Sequence, residues 1–102
     1  LSSCRNDYSI IKNKITGVTN GNGIYLTSSD GTSANRARVE NNFISVGEGG
    51  SNGSYGIYNY YSDYVNIYHN NIRIGSSAAS SKAFHVYTGG NLEVLNNVFA
   101  NQ

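Results

Sequence analysis

A chain of 102 residues has room for one ordinary domain, and 12 Gly with no Pro at a net charge of +1 mark it as neither a basic nor an acidic partner-seeker. No basic run and no apolar stretch near the ~20 residues of a spanning helix occur, so neither nucleic acid nor membrane insertion is indicated. The single cysteine, Cys4, excludes an internal disulfide and a cysteine-built metal site.

A composition this rich in Gly, Ser and Asn resembles a linker, but nine tyrosines are a large aromatic load for one. Taken in chain order, the apolar residues explain the tyrosines. Tyr8 and Ile10 alternate with polar neighbours, and "IIKNKI" (10–15) follows: apolar, two residues, Asn, one residue, apolar. Alternation with period 2 is strand chemistry. "TGVTNGN" then turns the chain into a second short strand, "GIYL" (23–26).

The stretch "TSSDGTSANR" (27–36) is an insertion, after which the first pattern returns as Ala37 and "VENNFI" (39–44). A Gly-rich turn leads to "GIYN" (56–59), and the pattern returns again as Val65 and "IYHNNI" (67–72). "AFHV" (83–86), Leu92 and "VLNNVF" (94–99) complete the series. Its asparagines, Asn13, Asn42, Asn70 and Asn97, are separated by 29, 28 and 27 residues.

A unit of this length with short strands cannot bury its apolar face alone, but stacked coils can. In register, Tyr8/Ala37/Val65/Leu92, Ile10/Val39/Ile67/Val94 and Ile15/Ile44/Ile72/Phe99 become inward columns. The four asparagines become a ladder at a bend, where Asn also tolerates a left-handed backbone. The expected fold is all-β, a parallel β-helix of about three and a half coils, uncapped at both ends. Residues 1–102 read as a single segment of a longer solenoid, since the opening "LSSCRND" follows as if a strand had just ended. The competing fold, a β-sandwich, would alternate more cleanly and carry hairpin turns.

These segments resemble the repeat of right-handed parallel β-helix proteins, the pectate-lyase-like superfamily. The resemblance implies three sheets, an asparagine ladder at one turn, and chemistry on the outward faces of the strands. Right-handed winding also follows the general rule for parallel crossovers. Enzymes of this superfamily use clustered outward carboxylates, and here Asp7, Asp30, Glu48 and Asp63 lie in or near turns.

Two outward surfaces offer chemistry. Beside the ladder, Arg38, Glu40, His69 and Glu93 are candidates for acid/base work, competing with a plain solvated surface. On the intervening strand, Tyr25, Tyr58 and His85 fall one per coil, with Tyr60 and Tyr87 two residues farther along. Such a strip suits the apolar faces of sugar rings, and it also stabilises a sheet by cross-strand contact whatever it binds.

No cofactor is indicated, because calcium at "SSDGTSAN" would have only Asp30 as a charged ligand. The expected role is a rigid solenoid segment of a larger extracellular or cell-surface protein, contacting a polysaccharide or surface glycan as adhesins and tailspikes do. Adjoining coils of the same parent chain would be its other partners. The alternative is the scaffold part of a polysaccharide lyase, hydrolase or epimerase with its catalytic residues elsewhere.

Overall fold

A computed structural model describes residues 1–5 and 8–101. Asp7, one of the acids expected near a turn, lies outside the described residues. The chain is all-β, and its parallel sheets stack into a β-solenoid of about three turns. Strands β1 (Ser9–Ile11), β4 (Ala37–Glu40), β7 (Val65–Tyr68) and β10 (Glu93–Leu95) form the first sheet. The second holds β2 (Lys14–Val18), β5 (Phe43–Val46), β8 (Asn71–Ile74) and β11 (Val98–Asn101). The third is β3 (Asn22–Thr27), β6 (Tyr55–Tyr61) and β9 (Lys82–Thr88).

Every strand pairs in parallel with its equivalent one coil away, and the register follows the sequence repeat. Ile10 lies opposite Val39, Val39 opposite Ile67, and Ile67 opposite Val94. Ile15, Ile44, Ile72 and Phe99 align in the same way. Apolar side chains that stack in file exclude water from the interior: Val39, Ile44, Ile57, Val65, Ile67, Ile72 and Ile74 are wholly buried. Each such burial contributes roughly 1.5–3 kcal/mol.

The sharp corner between the first and second sheets has two parts. The left-handed backbone falls on Lys12, Asn41, His69 and Asn96, with φ between 56° and 58°. The bend is thus one residue earlier than the ladder asparagine on which the repeat had placed it. Position by position, Lys12 N–H donates to Glu40 O at 3.1 Å, Asn41 N–H to Tyr68 O at 3.2 Å, and His69 N–H to Leu95 O at 3.2 Å.

The next residue supplies the ladder. Asn42 Oδ1 accepts from both the backbone N–H and the Nδ2 of Asn13, each at 3.0 Å. Asn70 Oδ1 does the same for Asn42, and Asn97 Oδ1 for Asn70, at 2.8–3.0 Å. The second Nδ2 hydrogen reaches back to a strand carbonyl, Ile10 O, Val39 O or Ile67 O, at 2.8–2.9 Å. A buried corner that would strand several polar groups is satisfied by one residue type repeated in file.

The second and third corners use serine. Ser29 N–H donates to Ser62 Oγ and Ser54 N–H to Ser81 Oγ, both at 3.0 Å, and Cys4 N–H donates to Ser29 Oγ at 3.2 Å. The insertion at 27–36 is seated on the coil above: Gly31 N–H donates to Asp63 O at 3.0 Å, and Arg36 bonds Asn66 Oδ1 at 2.6 Å while lying over the Tyr64 ring.

Candidate functional site: the tyrosine face

The outward surface of the third sheet is a continuous sheet of rings. Tyr25 lies opposite Tyr58, and Tyr58 opposite His85, as parallel register dictates. Their ring centroids are 5.3 Å and 5.0 Å apart, within the range where aromatic pairs attract. One step along the strand, Tyr60 stacks on Tyr87 at 4.9 Å with planes 21° apart, and also contacts Tyr25 and Tyr58. All five residues expected from the sequence therefore come together.

Two further tyrosines join them. Tyr55 contacts Tyr58 at 4.9 Å and stacks on His85 at 5.2 Å, and Tyr61 meets Tyr60 edge-on at 4.6 Å. Period 2 assigns Tyr55 and Tyr61 to the opposite face from Tyr58. The strand departs from period 2 at both ends. At the start, residues 55 to 57 are irregular, with both Gly56 and Ile57 buried. At the end, the pairing slips between Leu26 and Thr27, so that Thr27 lies opposite Tyr61 and Tyr60 has no partner on β3. Bulges of this kind re-aim side chains.

Beneath the rings, the inward column expected from Leu26 and Val86 holds Asn59 between them. Asn59 is fully buried, and its Nδ2 donates to Ser62 O at 3.0 Å, bracing the corner from inside. Only the register of all three coils reveals it as a core position.

Tyr25, Tyr61 and Tyr87 are exposed, and Tyr55, Tyr58, Tyr60 and His85 are half-covered by one another. Desolvation, and then the neighbouring tyrosines, push the Tyr58 and Tyr60 hydroxyls above the ordinary tyrosine value. Tyr8 is pushed up more strongly, by burial first and then by Asp30 and Cys4, and its hydroxyl donates to Ser29 O at 2.8 Å. All three groups ionise more readily in the unfolded chain, at a pH near 10. Their contribution to stability is thus complete below that pH and is lost as pH rises through the folded values. The urea midpoint is expected to hold steady from about pH 7 to 9 and to fall above about pH 10. A midpoint unchanged at pH 11 would contradict this.

The other outward surface is arranged differently. Ser9, Arg38, Asn66 and Glu93 occupy one column of the first sheet, and Ile11, Glu40, Tyr68 and Leu95 another. Arg38 and Glu93 stand two strands apart, about 10 Å at ordinary sheet spacing. Arg38 Nη2 donates to Ser9 Oγ at 3.2 Å, whereas Glu93 accepts the Tyr68 hydroxyl hydrogen. That bond, ahead of desolvation, raises the Tyr68 pKa. His69 is exposed on the left-handed bend. Glu48 forms an exposed ion pair with Arg73 at 2.6 Å, worth little in water. Among the described residues, no three His, Cys, Asp or Glu side chains gather closely enough to hold a metal ion.

Compared with known proteins, the chain has no significant match to a family model, a curated protein or a solved structure. Its functional reading rests on the surface geometry alone.

Proposed function

We propose that this chain is a rigid β-solenoid segment of a secreted or cell-surface protein that holds carbohydrate on its tyrosine face. In this reading the solenoid winds right-handed, like those of the pectate-lyase-like superfamily. The observation that carries the proposal is the contact network of Tyr25, Tyr55, Tyr58, Tyr60, Tyr61, His85 and Tyr87 on one exposed sheet surface. Cross-strand pairing alone would be served by ring-to-ring columns, yet here the rings also run along β6 from Tyr55 to Tyr61.

A broad, stiff aromatic surface carrying hydroxyls offers ring edges and faces to the C–H groups of a sugar ring and donors and acceptors to its hydroxyl rim. Because the backbone beneath is fixed by parallel pairing on both sides of β6, little ordering entropy is lost on binding. Binding to a glycan array, compared between the parent chain and Tyr58→Ala, tests the reading. Affinity is expected to fall at least about tenfold in Tyr58→Ala, the behaviour of a central contact residue. Tyr58→Phe, which keeps the ring, should retain most of it. No glycan binding by the parent, or unchanged binding by Tyr58→Ala, would remove the proposal.

A further inference from the structure

The tyrosine face ends in a polar recess. Where the chain leaves β6 and turns the corner, a cavity of about 320 Å³ opens, lined by Tyr61, Asp63, Asp30, Arg5, Ser28 and Thr88. Tyr61 belongs to both features, since its ring touches Tyr60 and Tyr87 on the face and also walls the cavity. The row of rings along β6 thus leads into the recess without a break.

Asp30 and Asp63 are equivalents in successive coils. Asp63 N–H donates to Asp30 Oδ1 at 2.9 Å, and Gly90 N–H donates to Asp63 Oδ1 at 2.5 Å. Each carboxylate is therefore aimed by a backbone bond to one oxygen. Among the described residues no donor reaches either Oδ2, and Arg5 forms no ion pair with either acid although it lines the same cavity. Two fixed acceptors, a guanidinium unpaired among the described residues and two hydroxyl side chains beside an aromatic wall form a set that donates to and accepts from a polyol. Two carboxylates against one guanidinium also leave the recess unfavourable to a second anion.

We infer that the recess is the end subsite of the tyrosine face and takes one uncharged, hydroxyl-bearing sugar residue of the same glycan. This inference rests on the carbohydrate reading of the face. Sugar hydroxyls donate to the Oδ2 atoms of Asp30 and Asp63, Arg5 donates to a sugar oxygen, and Tyr61 stacks against the ring. A uronate or sialate at this position would meet both carboxylates.

The test measures binding of matched neutral and uronate-containing oligosaccharides to the parent chain, Asp63→Asn, Asp30→Asn and Tyr58→Ala, with and without a calcium chelator. Asparagine retains an Oδ1 acceptor for the backbone bond, so the corner is kept while the charged acceptor is lost. The expected result is a preference for neutral chains, a loss of about tenfold in each Asp variant, and no effect of the chelator. If Tyr58→Ala weakens binding while both Asp variants bind like the parent, the subsite is wrong and the face reading stands. A preference for uronate chains, or binding abolished by the chelator and restored by calcium, would likewise overturn the subsite. Failure of the parent to bind any oligosaccharide would overturn both.

Discussion

Replacing Asn70 by alanine is expected to lower the free energy of unfolding by about 3–5 kcal/mol, from orphaned buried groups costing ~1–3 kcal/mol each. Asn70 is almost wholly buried. Its Oδ1 accepts from Asn42 N–H at 3.0 Å and Asn42 Nδ2 at 2.9 Å, and its Nδ2 donates to Val39 O at 2.9 Å and Asn97 Oδ1 at 3.0 Å. Alanine removes all four bonds at once, and the groups left behind on Asn42 and Val39 are buried. The same change at Asn13 removes one bond, Nδ2 to Asn42 Oδ1, at an exposed corner where water replaces it, while the backbone N–H keeps its own bond to Asn42 Oδ1, and should cost about 1 kcal/mol. Asn70→Asp separates the two halves of the role, because it can still accept from Asn42 but cannot donate to Val39 O. Near neutral pH its carboxylate is buried and faces two acceptors, Val39 O and Asn97 Oδ1, so its loss should be at least as large as that of Asn70→Ala. Urea unfolding of the three variants gives the order directly, and an Asn70→Ala no weaker than Asn13→Ala would show that the ladder does not hold the corner.

The second large effect is expected at Gly56, between Tyr55 and Ile57 on β6. A Cβ there would stand 2.2 Å from Ile72 Cγ2 and 2.5 Å from Ala83 O, so Gly56→Ala collides with a buried side chain and the backbone of the next strand. Neither neighbour is free to withdraw. Ile72 is fully buried in its column, and Ala83 is tied into β9. A loss of about 3 kcal/mol is expected, at the upper end for overpacking. Gly23, its counterpart one coil below, meets Ile44 Cγ2 at 2.5 Å and Gly56 O at 2.7 Å and should behave similarly. The same substitution should also shift Tyr55 and Tyr58, so that ring contacts and stability fail together. Thermal unfolding of Gly56→Ala checks this, and a melting temperature within a degree of the parent's would refute the close approach.

Most of the coil architecture was readable because stacking turns a long-range contact into a fixed sequence interval. Once Asn13, Asn42, Asn70 and Asn97 are seen at one interval, the register of the first two sheets follows, and with it the inward columns. The alternation within a strand then picks out Tyr25, Tyr58 and His85. Where backbone geometry departs from ideal strand, that logic stops. Tyr55 and Tyr61 join the face because β6 is irregular at one end and slips register at the other. Asn59 sits in the core at a position flanked by apolar residues only in neighbouring coils.

The Asp30/Asp63 pair was hidden for a different reason. Asp30 and Asp63 lie 33 residues apart, outside the 27–29 spacing of the ladder, because the insertion at 27–36 lengthens that part of the first coil. As isolated letters in turn-rich segments they read as turn residues. Only the folded corner brings one carboxylate onto the backbone N–H of the other.

Nuclear Overhauser contacts among Ile10, Val39, Ile67 and Val94 offer the most direct test of the stacked, parallel coil. The structure predicts a chain of contacts Ile10–Val39, Val39–Ile67 and Ile67–Val94, with side-chain amide contacts between Asn42 and Asn70 in step with them. Strand contacts made instead between sequence neighbours across tight hairpins would contradict it.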